Sequence, residues 1–435
     1  MTLKQTARAS RASSHGASAR RLRAGLALAA ALATAGAHAA DIEVLHWWTS
    51  GGEAKALGEL IKKLESDGHR WRDFPVLGGG GDNAAILLKT RVVSGYPPTA
   101  AQIKGPEIQQ WAKENYLATV TDAAKAQDWD SSLPRVVAAA MKYQGRYVAA
   151  PVNVHRVNWM WINTAALKKA GVEPPTTWDE LFKVADALQK AGIIPIAHGG
   201  QPWQDFTLFE SIVLGQGGAG FYNKVFVELD AASIQSPTMA KSLETFRKVR
   251  QYMDKGTPNR EWNAATAMVI KGQAAIQFMG DWAKGEFSRA GKVPGQDYLC
   301  VPAPGTDKSY SYNIDSFAFF RQRQDDAKKA QADLAAALMS PEFQETFNLA
   351  KGSIPVRTNA NMSKFDACAQ RSAKDFKATA EAGTLVPSIA HHMAAPEVVF
   401  SGMQNAVSAF FNEGASISET QARMVAAAKA AEVRE

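Results

Sequence analysis

The stretch Ile42-Glu43-Val44-Leu45-His46-Trp47-Trp48-Thr49-Ser50-Gly51-Gly52-Glu53 decides the fold. Its first five residues read as a strand. Residues 53–66 then carry Leu57, Leu60, Ile61 and Leu64 at helical spacing. The same unit recurs outward from it. Residues 100–103 form a short apolar strand, and Pro106 stands where a first helical residue would, ahead of Ile108 and Trp111. Residues 158–162 are strand-like. Thr177-Trp178-Asp179-Glu180 is a capping box whose helix carries Leu181, Phe182, Ala185 and Leu188 to a stop at Gly192. Residues 193–197, 274–279 and 316–320 are further strands. Met239, Leu243, Phe246, Val249 and Met253 make another helical stripe, and Ser340-Pro341 opens one more helix. This alternation predicts an α/β protein with mainly parallel sheets. At 435 residues the chain is too long for one small doubly wound sheet. Two α/β lobes are expected, with the first crossing near Ala150-Pro151-Val152-Asn153.

The charge balance narrows the function. Residues 1–39 hold Lys4, Arg8, Arg11, Arg20, Arg21 and Arg23 and no acid, so removing these six from the formal +7 leaves about +1 on the rest. That is no footprint for nucleic acid and no polybasic membrane patch. The basic residues fit a targeting segment instead. Arg20-Arg21-Leu22-Arg23 reads as its basic region, residues 24–35 as its apolar run, and Ala37-His38-Ala39 as a small-x-small cleavage site. Residues 1–39 are thus expected to be a removed signal peptide, leaving a soluble exported protein in the periplasm. In that oxidising setting Cys300 and Cys368 are expected to pair, the alternative being two free buried thiols.

Tryptophan (11) outnumbers tyrosine (9), an imbalance that calls for a use. Trp47-Trp48 stand at the end of the first strand. Lys104 ends another, Gly280-Asp281-Trp282 follows a third, and Asn313-Ile314-Asp315 precedes a fourth with Asn313 and Asp315 on one side. In open α/β sheets, ligands bind beyond the carboxyl ends of strands. A Trp ring covers the apolar C–H face of a sugar, while Asp accepts, Lys donates and Asn does both towards its hydroxyls. Either Trp alone could be core, but adjacent strand residues face opposite ways.

Other motifs point nowhere strong. Gly78-Gly79-Gly80-Gly81 lacks the ending of a phosphate loop and reads as a turn near the cleft. His391-His392 is a poor metal signal, so neither metal nor cofactor is expected. No Gly-x-Ser-x-Gly elbow is present. His155 and His198 read as structural, and Trp111, Trp129, Trp178 and Trp262 as core or half-buried.

Several stretches resemble the sugar-binding proteins of ABC transporters. Val44 to Glu53 does so first. Ala101-Gln102-Ile103-Lys104-Gly105-Pro106, Pro151 to Trp159, His198 to Asp205, Met279 to Lys284, Tyr312 to Ser316 and Lys351 to Arg357 are similar to the glucose-binding branch, as found in pseudomonads. The resemblance implies a two-lobed, type II periplasmic-binding-protein (Venus-flytrap) fold with the ligand in the interlobe cleft. The lobes would be residues 40–152 with 314–360, and 153–313 with 361–435. It further implies that Trp47 and Trp48 flank a pyranose, that Glu53, Lys104, Asn313, Asp315, Lys351 and His391 hydrogen-bond it, and that Trp282 forms an apolar wall. The two cysteines also fall where that branch has a pair. The implied role is delivery of a monosaccharide, D-glucose, to inner-membrane permease subunits by a monomer that is not an enzyme. Mannose, galactose, xylose or a disaccharide are alternatives, as are a glycoside hydrolase using Glu53 and Asp315 and a sugar sensor for a membrane receptor.

Overall fold

A computed structural model describes residues 41–431. The signal-peptide and cleavage-site readings lie outside the described residues. The strands are β1 (Asp41–His46), β2 (Arg70–Pro75), β3 (Ala100–Gln102), the hairpin β4–β5 (Lys142–Tyr143, Arg146–Tyr147), β6 (Ala149–Arg156), β7 (Trp159–Asn163), β8 (Ile194–Ile196), β9 (Ala274–Phe278), β10 (Tyr298–Pro302), β11 (Tyr310–Phe319) and β12 (Leu385–Pro387). The helices used below are α1 (Gly51–Ser66), α2 (Asp82–Val93), α3 (Pro106–Lys113), α4 (Trp178–Lys190), α5 (Pro202–Phe226), α6 (Trp262–Ile270), α7 (Ala283–Arg289), α8 (Pro341–Lys351), α9 (Ala367–Ala382) and α10 (Glu397–Glu413).

Two sheets organise these elements. One runs β12-β11-β3-β1-β2 with β6 also on β11, the other β10-β7-β9-β8. The expected mainly parallel character is not found. β1–β2, β1–β3, β11–β12 and β8–β9 are parallel, while β11–β3, β11–β6, β10–β7 and β7–β9 are antiparallel. The reason is topological. β7 and β11 enter their sheets just after the chain has passed from one sheet to the other, so no crossover helix sets their direction.

Local chemistry explains the element ends. α1 begins with a capping box in which Ser50 and Glu53 satisfy each other's backbone N–H, and its Ala56, Leu57, Leu60 and Leu64 face the core. The predicted box at Thr177 and Glu180 likewise opens α4. Pro106, Pro202 and Pro341 each occupy the first turn of their helices, where a missing N–H costs nothing. Met253 of the predicted stripe falls beyond its helix, Pro237–Arg250.

β11 matters most for the site. Asn313 and Asp315 do not precede this strand but lie inside it. One edge of β11 pairs with β6 from Tyr312 to Ala318. The other edge is shared, Tyr310–Tyr312 pairing with β12 and Phe317–Phe319 with β3. Between those two partners Asn313, Ile314 and Asp315 have no strand on that edge. The pleat sends Ile314 into the core and Asn313 and Asp315 to the opposite face.

Cys300 and Cys368 are bonded, tying β10 to the first turn of α9 across a separation of 68 residues. Around Cys368 packs a cluster that includes Trp159, Trp161, Trp203, Trp262, Trp282, Phe287 and Tyr298. The tryptophan excess is spent here and on the cavity these rings border. No helix among the described residues is long and apolar enough to cross a membrane.

Candidate functional site

A cavity is lined by Trp47, Trp48, Glu53, Gly79, Gly80, Lys104, His155, Trp203, Trp262, Trp282, Asn313, Asp315, Lys351 and His391. All nine ligand residues named from the sequence are brought together there. They come from the β1–α1 turn, the first turn of α1, the segment just after β3, β11, the β9–α7 turn, the last residue of α8 and the segment after β12.

β1 ends at His46, so the pleat does not govern Trp47 and Trp48, and both rings reach the cavity. Trp48 is anchored edge-on against Phe317, with centroids 5.5 Å apart, and against Phe347 at 5.2 Å. The Lys104 ammonium sits 4.8 Å from the Trp47 ring centre. Gly79 and Gly80 let Trp203 in: a Cβ on Gly79 would lie 2.7 Å from Trp203 Cζ2, and one on Gly80 2.9 Å from its Cγ. Trp282, His391 and Trp203 form a continuous aromatic wall, with Trp282 and His391 4.8 Å apart and His391 and Trp203 5.9 Å apart.

The charged groups are buried and paired. Lys351 Nζ donates to Glu53 Oε1 at 2.9 Å. The Glu53 side chain also caps α1, which fixes its direction. His155 bridges two carboxylates, donating from Nε2 to Asp315 Oδ2 at 3.0 Å and from Nδ1 to Asp281. Burial works against charge on His155, but Asp281 and Asp315 outweigh it and raise its affinity for a proton. A carboxylate at each ring nitrogen favours the imidazolium, in which both nitrogens donate. Burial likewise opposes charge on Asp315, yet His155, Lys104 and Lys351 hold it far below the ordinary carboxylate range. Asp315 Oδ1 also receives long bonds from Asn313 Nδ2 at 3.3 Å and Gln102 Nε2 at 3.4 Å. Asn313 Oδ1 is buried with no partner. Lys104 is pushed to lower pKa, chiefly by burial.

Lys104, Lys351 and His155 therefore face Asp315, Glu53 and Asp281, so the site's charges cancel. Such a site orients donors and acceptors without presenting a net field. It suits an uncharged ligand rich in hydroxyls and favours neither a phosphate nor an ammonium.

His155, Trp203, Trp262, Gly79 and Gly80 were not read as site residues from the sequence. Two of these are corrections: His155 carries the ion-pair chain, and Trp262 lines the cavity as well as being buried. A signal existed for His155. Asn153 and His155 alternate on β6 as Asn313 and Asp315 do on β11, and the register pairs Asn313 with His155 and Asp315 with Asn153. Trp203 lies in the His198–Asp205 stretch that resembles the sugar-binding branch, but no part in the site was read for it there. His198, by contrast, is structural, bonded to buried Asp205 at 2.9 Å. Trp111, Trp129 and Trp178 are buried as expected. His392 lies outside the cavity described, between Asp82 at 3.2 Å and Glu397 at 3.1 Å.

The family of bacterial extracellular solute-binding proteins matches residues 49–345. The chain belongs to that family. A protein of Rhizobium meliloti (strain 1021) named probable sugar-binding periplasmic protein is 47% identical over 399 residues, covering 92% of this chain and 96% of its own. One of Brucella suis biovar 1 with the same name is 46% identical over 391 residues, covering 90% and 92%. Among solved structures, a chitin oligosaccharide binding protein superposes with a TM-score of 0.78 at 18% identity, covering 91% of this chain and 99% of its own. That likeness shows the two-lobed α/β fold expected from the sequence.

Proposed function

We propose that this chain is the periplasmic sugar-binding component of an ABC importer and that it binds one monosaccharide, D-glucose, in the cavity. The observation that carries this reading is the pairing of aromatic walls with a charge-cancelled ring of donors and acceptors. Trp47, Trp48 and Trp282 cover the C–H faces of the ring. Glu53, Lys104, Asn313, Asp315, Lys351 and His391 meet its hydroxyls. The relatives in Rhizobium and Brucella, similar over nearly their whole length, support the sugar class and the periplasmic location.

The lobes are residues 40–152 with 314–360 and 153–313 with 361–435, and the paired strands β6 and β11 join them. The ligand's hydroxyls touch groups from both lobes only on closure, so sugar favours the closed state. A switch from 1:99 to 99:1 needs about 5.5 kcal/mol of differential affinity. The closed monomer then presents sugar to the permease.

Hydrolysis is disfavoured by the ionisation of the site. A glycosidase needs one carboxyl kept protonated as acid. Asp315 is held ionised, and Glu53 is already paired with Lys351. Titration of tryptophan fluorescence with D-glucose tests the proposal, because the ligand would lie against several indole rings. Saturable change supports it; unchanged emission with every hexose and pentose removes it.

A further inference from the structure

His391 sits in the loop after β12, whose Ser388 N–H donates to the Tyr312 carbonyl of β11 at 2.9 Å. Its loop is tied to helix α5 by the buried carboxylate of Glu210, which accepts from Ser388 Oγ at 2.6 Å and from the backbone N–H of Ala390 at 3.3 Å. Tyr222, also on α5, donates to Glu210 at 2.7 Å and accepts from the backbone N–H of Ile389 at 2.9 Å. The His391 ring meets the same helix. Its Nε2 lies 3.1 Å from Thr207 Oγ1.

The direction of that last bond can be deduced. A threonine hydroxyl has one proton. Thr207 donates it to the Trp203 carbonyl, one turn back on α5, at 2.8 Å. A carbonyl only accepts, so Thr207 has no proton left for His391. The His391 Nε2 must then carry a hydrogen and donate to Thr207. Burial and the nearby Lys104 charge keep the ring from taking a second proton. The remaining nitrogen, Nδ1, therefore bears a lone pair. It has no hydrogen-bond partner among the described residues, and the ring stands in the cavity wall between Trp203 and Trp282.

We propose that Thr207 is a positioning residue that fixes His391 as a hydrogen-bond acceptor, so that the site requires a ligand hydroxyl donating to His391 Nδ1. This rests on the sugar-binding reading above and adds a polarity to it. Every other histidine arrangement, with Nδ1–H facing the ligand, would ask for an acceptor instead. The site thereby separates a hydroxyl from groups of similar size that accept without donating, such as a fluorine or a methoxy oxygen.

Two readouts test it. The first is the imidazole ¹⁵N spectrum of the mature protein at neutral pH without sugar, with His391 assigned by comparison with H391Q. Wild type is expected to show His391 protonated at Nε2 only. T207V, which removes the acceptor, is expected to lose that preference, and T207S, which keeps the hydroxyl, to retain it. A wild-type ring protonated at Nδ1, or T207V and wild type alike, overturns the proposal. If T207V does not fold, wild type and T207S still decide the tautomer. The second is titration with D-glucose and its deoxyfluoro analogues. At one hydroxyl position fluorine should weaken binding at least about tenfold in wild type, and that penalty should shrink in T207V while those at other positions stay. Fluorinated analogues that all bind like glucose overturn the proposal. Failure of glucose itself to bind counts against the proposed ligand, and the spectrum then judges His391 independently.

Discussion

Asp315 Oδ2 lies 3.0 Å from His155 Nε2, and the two residues sit on neighbouring antiparallel strands, β11 and β6. The same imidazole reaches Asp281 in the turn after β9. One histidine thus links a carboxylate in the first sheet to a carboxylate at the end of a strand in the second. The carboxylate in the cavity wall is kept ionised and aimed by a partner that does not depend on ligand.

Removing Asp315 should therefore be costly twice over. D315A deletes a hydroxyl acceptor, leaves His155 with Asp281 as its one carboxylate partner and takes from buried Lys104 the carboxylate that most favours its charge. Sugar affinity should fall by about 3 kcal/mol, on the order of a hundredfold or more. Calorimetric titration of the variant checks this, and unchanged affinity would take Asp315 out of the site.

The Lys351–Glu53 pair is a second buried dependence, with Nζ and Oε1 2.9 Å apart. Breaking one side strands the other charge, so K351M should lower folding stability by roughly 3 kcal/mol. E53Q combined with K351M should restore much of it, because neither partner of this pair is then left charged without the other. Urea denaturation of the two single variants and the double variant measures the coupling. Strictly additive losses would show that the pair is not a unit.

The Cys300–Cys368 bridge closes a separation of 68 residues. In the chain-entropy account that is worth about 4 kcal/mol. C300S/C368S should unfold at correspondingly lower denaturant while keeping its sugar affinity, since neither sulfur lines the cavity. Two free thiols counted in native material would contradict the bridge itself.

His392 sets a pH trend. Burial disfavours its charge, but Asp82 and Glu397 on either side more than compensate and push its pKa up to about 9. A raised folded-state pKa stabilises fully below the unfolded value near 6.5 and loses that contribution as pH rises through 9. Wild type should lose melting temperature between pH 7 and pH 9 relative to H392Q. Parallel curves for the two proteins would show that His392 is not charged between its carboxylates.

Much of this was legible in the sequence because it is local. A capping box, a proline in a first turn and a leucine stripe each report on a few neighbouring residues, and α1, α3, α4 and α8 follow from them. The nine cavity residues emerged because strand ends and a resemblance to sugar-binding proteins mark them. What stayed hidden is long-range. The extension of β11 through Asn313 and Asp315 depends on β6, some 160 residues earlier in the chain by the Asp315–His155 contact. The antiparallel pairings come from the chain's passages between sheets, which periodicity does not encode. Trp262 reads as an ordinary helix-start aromatic until Trp203 and the Gly79-Gly80 turn are folded against it. Thr207 reads as an ordinary helical threonine until the His391 loop arrives from 184 residues away.

The most direct test of the central claim is calorimetric titration of the mature protein, refolded to free it of sugar, with D-glucose and then D-galactose and D-mannose. The account predicts tight one-to-one binding of glucose and much weaker binding of both epimers, because a site that pairs each hydroxyl penalises one that is misplaced. No heat with any hexose would contradict it.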